Sequence, residues 1–141
     1  QDLAEQAKAK KISLKRELPG PPIRILGDSH RIYQAISNLV GNALKFTGEG
    51  GTVTISAREE PGRVVVAVAD TGPGIPPEQV SRLFERFWQA EETREQGSGL
   101  GLSIVKEYAE LLGGDVSYSP GLFGGSSFRL VLPKYQSLQS I

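Results

Sequence analysis

Two runs rich in β-branched residues, "TVTISAREE" and "RVVVAVAD", stand with only Pro61 and Gly62 between them. That spacing leaves room for a turn and nothing else, so the two runs are expected to pair as an antiparallel hairpin and to seed a sheet. The rest of the punctuation agrees. "ISLKREL" alternates, with Ile12, Leu14 and Arg16 on one side, and is closed by "PGPP"; "IRILGD" reads as a second short strand, "GEGG" as a turn, and "DVSYS" and "SSFRLVLP" as closing strands. Helices fall between them. "QDLAEQAKAKK" has the spacing of a helix end, a helix capped by Asp28 or Ser29 runs to about Phe46, and "PPEQVSRLFERFW" is a short helix begun by proline. "GLGLSIVKEYAELLGG" is helical through Leu112 and stops at a glycine pair, after the polar, loop-like "AEETREQ". Short turns between neighbouring strands point to a two-layer α/β domain whose sheet is mostly antiparallel.

A chain of 141 residues is one domain of ordinary size with a real core. Sixteen basic and sixteen acidic residues cancel, so bulk charge marks neither a nucleic-acid nor a membrane surface. With no cysteine, disulfides and thiolate metal sites are excluded, and one histidine cannot build a multi-histidine site. No apolar run reaches membrane-spanning length and the first residues do not read as a signal peptide, so the expected setting is cytoplasmic. The lack of methionine, even at position 1, points to a fragment of a longer protein.

The helix "QAISNLVGNALKFT", Gln34 to Thr47, poses the functional question. Gln34, Asn38, Asn42 and Lys45 fall within an arc of about 80°, while Ile32, Ile36, Leu39 and Ala43 cluster opposite. Asparagine is a poor helix former because its side chain competes for backbone hydrogen bonds, so two of them one turn apart call for a ligand or partner on that face. In "VVVAVADTGPGI" an apolar strand delivers Asp70 to its end, and Gly72 and Gly74 let the backbone turn sharply and approach a ligand. A carboxylate in an apolar pocket needs a donor, and the adenine amino group is one; a plain strand-ending Asp in a Gly-Pro turn is the competing reading. "GSGLGLSIVKEY" exposes backbone N–H groups at a helix start, where the macrodipole favours phosphates. It lacks the Gly-Lys-Ser/Thr of a Walker A loop and the preceding strand of a dinucleotide fingerprint, and a glycine-rich hinge is its bland alternative. "FGGSSF" is a glycine pair before the final strand, or a plain β-turn.

Taken in order, these motifs resemble the ATP-binding catalytic domain of the sensor histidine kinases, within the superfamily that also holds gyrase, the heat-shock chaperone ATPase and mismatch-repair ATPases. The resemblance covers about residues 12 to 133. "QAISNLVGNALKFT" is similar to the family's N box, "DTGPGI" to its first glycine box, "LFERF" to its F box, "GSGLGLSI" to its second glycine box and "GGSSF" to its third. It implies the Bergerat fold: a mixed, mostly antiparallel sheet of about five strands with three helices on one face. Residues 1–11 are then the end of an upstream helix or linker, and 134–141 a tail.

The resemblance also implies roles. Asn42 is expected to ligate Mg²⁺ through its amide oxygen, with Asn38 beside it and Lys45 facing the phosphates; Asn38 and Lys45 are the catalytic candidates. Mg²⁺ takes few protein ligands and bridges phosphate oxygens, which suits a neutral amide and a nearby ammonium. Asp70 would take the adenine amino group, with Gly72, Gly74 and Ile75 shaping the base pocket and Ser126 near the base. Gly97, Ser98, Gly99, Leu100, Gly101 and Leu102 would present backbone to the phosphates at the end of a mobile lid. Phe84 and Phe87 would anchor that lid, with Trp88 packed beside them or exposed; Arg86 either reaches a phosphate or is a solvated surface arginine.

The chain departs from the family's pattern in places. The lid, about "QAEETREQ", is short, Gln89 stands where many relatives have arginine, and Phe123 stands where the third box usually has its first glycine. The single histidine, His30, sits at a helix start in "GDSHR", where it helps solvate or cap the helix and is not expected to be a phosphoacceptor. The implied function is therefore to bind ATP·Mg²⁺ and donate its γ-phosphoryl group to a histidine on a separate dimerisation domain, with a response-regulator receiver domain as the further partner and no nucleic-acid or membrane contact. Two alternatives remain: a non-kinase ATPase of the superfamily, whose members usually carry glutamate at the position of Asn38, and a regulatory nucleotide-binding module.

Overall fold

The computed structural model describes residues 3–18, 20, 28–86, 101–121 and 124–134. Along the chain these form α1 (Leu3–Ala9), β1 (Ser13–Glu17), α2 (Ser29–Phe46), β2 (Thr52–Glu60), β3 (Arg63–Asp70), α3 (Pro77–Val80), α4 (Gly101–Leu111), β4 (Asp115–Pro120) and β5 (Ser126–Pro133). The expected strand over "IRILGD" lies, apart from Asp28, outside the described residues, as do Phe87 to Leu100, Phe123 and the tail beyond Lys134.

The five strands make one sheet in the order β1-β2-β3-β5-β4. β2 and β3 are the expected hairpin, with Glu60 opposite Arg63 at the Pro61–Gly62 turn. β1 and β2 run parallel, because α2 lies between them in the chain and carries it back across the layer. β5 inserts between β3 and β4, antiparallel to both. The expected mixed, mostly antiparallel sheet of five strands is what forms, with its helices packed into a common core.

That core follows from alternation. Along β3, Val64, Val66 and Val68 face the helices, and Phe128, Leu130 and Leu132 of β5 do the same. Against them pack Ala35, Leu39 and Ala43 of α2 and Leu102, Val105 and Ala109 of α4, all recurring at three- or four-residue spacing. α2 begins where Asp28 Oδ1 accepts the His30 and Arg31 N–H groups at 2.9 and 3.4 Å. His30 thus lends a backbone donor to the cap, and Asp28 supplies the capping side chain. The helix ends at the buried Thr47, whose hydroxyl donates to Ala43 O at 2.8 Å.

α2 is covered more widely than one apolar stripe requires. Val40 and Leu44, outside the expected cluster, are buried as well, because α1 packs along that flank with Ala7 in the core and Lys10 Nζ donating to Leu44 O. α1 ends at Ala9, and the turn after it holds Lys11 in the left-handed region at φ 59°. α3 is shorter than "PPEQVSRLFERFW" promises. The chain leaves helix after Val80 and turns, so that Leu83 is buried in the core and Phe84 meets Phe128 edge-on, centroids 6.2 Å apart. Tertiary packing overrides local propensity there. α4 ends at Leu111, one residue short of Leu112, and Gly113 follows with φ +84°.

Candidate functional site

The last register step of the β3–β5 ladder is polar. Asp70 is paired with Ser126, directly after Val68 with Phe128 on the same face. Both side chains are buried, at 6% and 1% exposure, yet Asp70 Oδ2 and Ser126 Oγ have no hydrogen-bond partner. Asp70 Oδ1 is satisfied by the Gly72 N–H at 2.9 Å. Burial pushes the Asp70 carboxyl above the usual carboxylate range, and the nearby backbone N–H groups, of which only that of Gly72 is within bonding geometry, offset part of that. An unpaired, desolvated acceptor is costly, and such a group calls for a donor from an ordered water, an ion or a ligand.

The turn after Asp70 is fitted to its surroundings. Gly74 has φ +80°, and a Cβ there would stand 2.7 Å from Gly124 O. From the other side, a Cβ on Gly125 would stand 1.8 Å from Asp70 O, so the glycine pair lets the start of β5 lie against the end of β3. Gly121 N–H donates to Gly125 O at 2.7 Å and closes the β4–β5 connection beneath this contact. Gly125 belongs to "GGSSF", the stretch similar to the third glycine box, whereas Gly121 lies outside every expected motif. From sequence alone that glycine pair reads equally well as an ordinary turn.

Of the other expected residues, Asn38, Asn42 and Lys45 lie on α2 and are all half-buried. Asn42 Nδ2 is buried with no partner. The two ends of a carboxamide exchange by rotation, so the same position is open to an oxygen donor for a hard cation. Among the described residues no group of three or more His, Cys, Asp or Glu side chains could hold a metal ion. Ile75 is buried beside the turn, and Leu102 points its side chain into the core, which leaves only its backbone for a ligand. Gly101 opens α4 at an exposed position, where the first N–H groups lack intrahelical acceptors. Phe84 is half-buried against Phe128 and Arg86 is exposed. Phe87, Trp88, Gln89, Gly97, Ser98, Gly99, Leu100 and Phe123 lie outside the described residues. Among the described residues no helix is long and apolar enough to cross a membrane.

Comparison with known proteins agrees with this geometry. A family model described as Histidine kinase-, DNA gyrase B-, and HSP90-like ATPase matches residues 27–136. Histidine protein kinase DivJ of Caulobacter vibrioides is 40% identical over 124 residues, a match that takes in 86% of this chain and 21% of that protein. The chain thus spans about a fifth of that relative's length. Among solved structures, the catalytic domain of histidine kinase ThkA superposes with a TM-score of 0.82 at 31% identity, over 94% of this chain and 86% of that one. Full-length ShkA in complex with AMPPNP gives a TM-score of 0.82 at 37% identity, over 96% of this chain and 28% of that one. The chain belongs to the family of histidine kinase-, DNA gyrase B- and HSP90-like ATPases, and within it resembles the catalytic domains of the sensor histidine kinases.

Proposed function

We propose that this chain is the ATP·Mg²⁺-binding catalytic domain of a sensor histidine kinase, with residues 12–133 as the nucleotide-binding unit, 1–11 as the end of an upstream helix or linker, and 134–141 as a tail. The observation that carries the reading is the buried Asp70 Oδ2 without a partner, beside the equally unpartnered Ser126 Oγ. An adenine amino group supplies the donor that the carboxylate lacks, and the Gly72–Ile75 turn shapes the wall against the base. The relative ShkA is known in complex with AMPPNP, a ligand of the chemistry this site calls for.

Asn42 is the residue we assign to Mg²⁺, and its buried, unpartnered Nδ2, which amide rotation exchanges with the oxygen, fits that role. Bound there, the metal would neutralise phosphate charge, which phosphoryl transfer needs more than covalent help from the protein. Asn38, one turn earlier, lies beside that amide, and Lys45 offers an ammonium to the phosphates. We assign to the same anion the backbone N–H groups at the start of α4, Gly101 and Leu102, and those of Gly97 to Leu100, which lie outside the described residues. Asn38 cannot act as a general base, since an amide takes no proton near neutral pH. That favours transfer to an outside nucleophile over hydrolysis in place. The acceptor is then a histidine on a separate dimerisation domain, and the onward partner a response regulator; ThkA is known in complex with response regulator protein TrrA.

Calorimetric titration with ATP, with and without Mg²⁺, paired with an ATP-turnover assay on the chain alone, tests the proposal. Mg²⁺-dependent binding with turnover near background is the expected result. Absence of binding defeats the reading, and rapid steady hydrolysis replaces it with a non-kinase ATPase.

A further inference from the structure

Tyr118 sits in β4 with its Cα opposite Phe128, at a position where the sheet calls only for an apolar side chain. Its ring packs tilted by 59° on Phe128, centroids 5.3 Å apart, and Phe128 is fully buried with Phe84 against its other edge. The ring therefore cannot swing without repacking the core. The hydroxyl reaches across 43 residues of sequence to accept the Ile75 N–H at 3.2 Å. The first half of the turn is tied down separately, with Thr71 N–H on Thr52 O at 3.1 Å and Gly72 N–H on Asp70 Oδ1 at 2.9 Å. Among the described residues, the Ile75 bond is the hydrogen bond that the second half of the turn donates.

We infer that Tyr118 is a positioning residue for the base pocket: its hydroxyl, set by the Phe84–Phe128–Tyr118 stack, fixes the turn that follows Asp70. The inference rests on the nucleotide reading above and adds to it a residue outside the expected motifs. Asp70 can present Oδ2 to a base only if the backbone after it holds its course, and Gly74, in a left-handed conformation, is the flexible joint in that backbone. The tyrosine oxygen closes the joint on its far side. Without it, a buried N–H is left unpaired, and the turn must open or admit water.

Tyr118→Phe keeps the ring and its packing and removes only the acceptor. The affinity of adenosine and of Mg²⁺·ATP is expected to fall by the same factor, roughly three- to tenfold, because the defect lies at the base and not at the phosphates. Exchange of the Ile75 amide, followed by NMR in the apo protein, should accelerate at least several-fold, while the thermal unfolding midpoint stays within a few degrees. Unchanged affinities, an Ile75 amide that exchanges as in the wild type, or a loss confined to ATP would each overturn the assignment. Wild-type protein that binds neither adenosine nor ATP overturns instead the nucleotide reading on which the assignment rests.

Discussion

The two ends of the β3–β5 ladder use the same strands and face the same helices, yet they are finished in opposite ways. Three register steps pair Val64 with Leu132, Val66 with Leu130 and Val68 with Phe128, none more than 4% exposed. The fourth pairs Asp70 with Ser126, equally buried, and leaves one oxygen of each unsatisfied. The first three steps are what stability alone would select. The fourth works against stability in the free protein, and the proposed nucleotide would supply the donor that it lacks. Stability and recognition are thus separated by a single residue pair along one ladder, and substitutions at the two ends should behave differently.

Leu130→Ala tests the apolar end. Removing a fully buried leucine should cost about 2–5 kcal/mol in denaturant unfolding, while the folded protein keeps its nucleotide affinity. A cost well under 1 kcal/mol would mean that this part of the ladder is not the stabilising one. Off the ladder, on α2, Asn42→Ala should weaken Mg²⁺-dependent ATP binding by about 1.5–3 kcal/mol, the range for hydrogen bonds to charged groups, and leave adenosine binding unaltered. Equal losses for both ligands would remove Asn42 from the metal.

Asp70→Asn should raise the stability of the apo protein at neutral pH, by on the order of 1 kcal/mol. The sign follows from burial. The folded protein holds the Asp70 proton more tightly than the unfolded chain does, so this group's contribution is present at low pH and is lost as pH rises from the usual carboxylate range through the raised value. Nucleotide binding, which wants the ionised carboxylate, should run the other way and weaken as pH falls through that raised value. Binding isotherms and unfolding curves over a pH series check both slopes, and both should vanish in the variant. A smaller effect belongs to a position outside the ladder. Lys11→Gly relieves a left-handed backbone in the turn after α1 and should stabilise by roughly 0.5–1 kcal/mol, read from the unfolding midpoint, with no change in nucleotide binding.

Local patterning made much of this legible from the chain alone. The Pro61–Gly62 hairpin, the cap at Asp28, the amide face of α2 and the placement of Asp70 at a strand end are all written in short-range spacing, and the structure has each of them. What escaped was non-local. Nothing in "SSFRLVLP" tells that β5 slips between β3 and β4, and so nothing brings Ser126 opposite Asp70 before the sheet is assembled. The burial of Val40 and Leu44 depends on α1 docking along α2, and the early end of α3 depends on Leu83 and Phe84 turning into the core. Tyr118 reads as one more sheet residue in "DVSYS", because its partner, the Ile75 amide, is named only by the folded chain.

The choice between adenine and guanine depends on the Asp70 carboxylate and can be measured in one experiment. If Oδ2 accepts from the adenine amino group, GTP presents a carbonyl oxygen instead, and two acceptors then face each other in a desolvated pocket. A site built around such a hydrogen bond rejects the analogue strongly. Asp70→Asn can turn its amide N–H₂ toward the guanine carbonyl, so the preference for ATP over GTP should shrink even as overall affinity falls. Competition titrations of both nucleotides against wild type and variant measure that ratio. A wild type that strongly prefers ATP, with the preference sharply reduced in the variant, is the predicted result; an ATP/GTP ratio unchanged by the substitution would contradict the account and leave Asp70 as a strand-end turn residue.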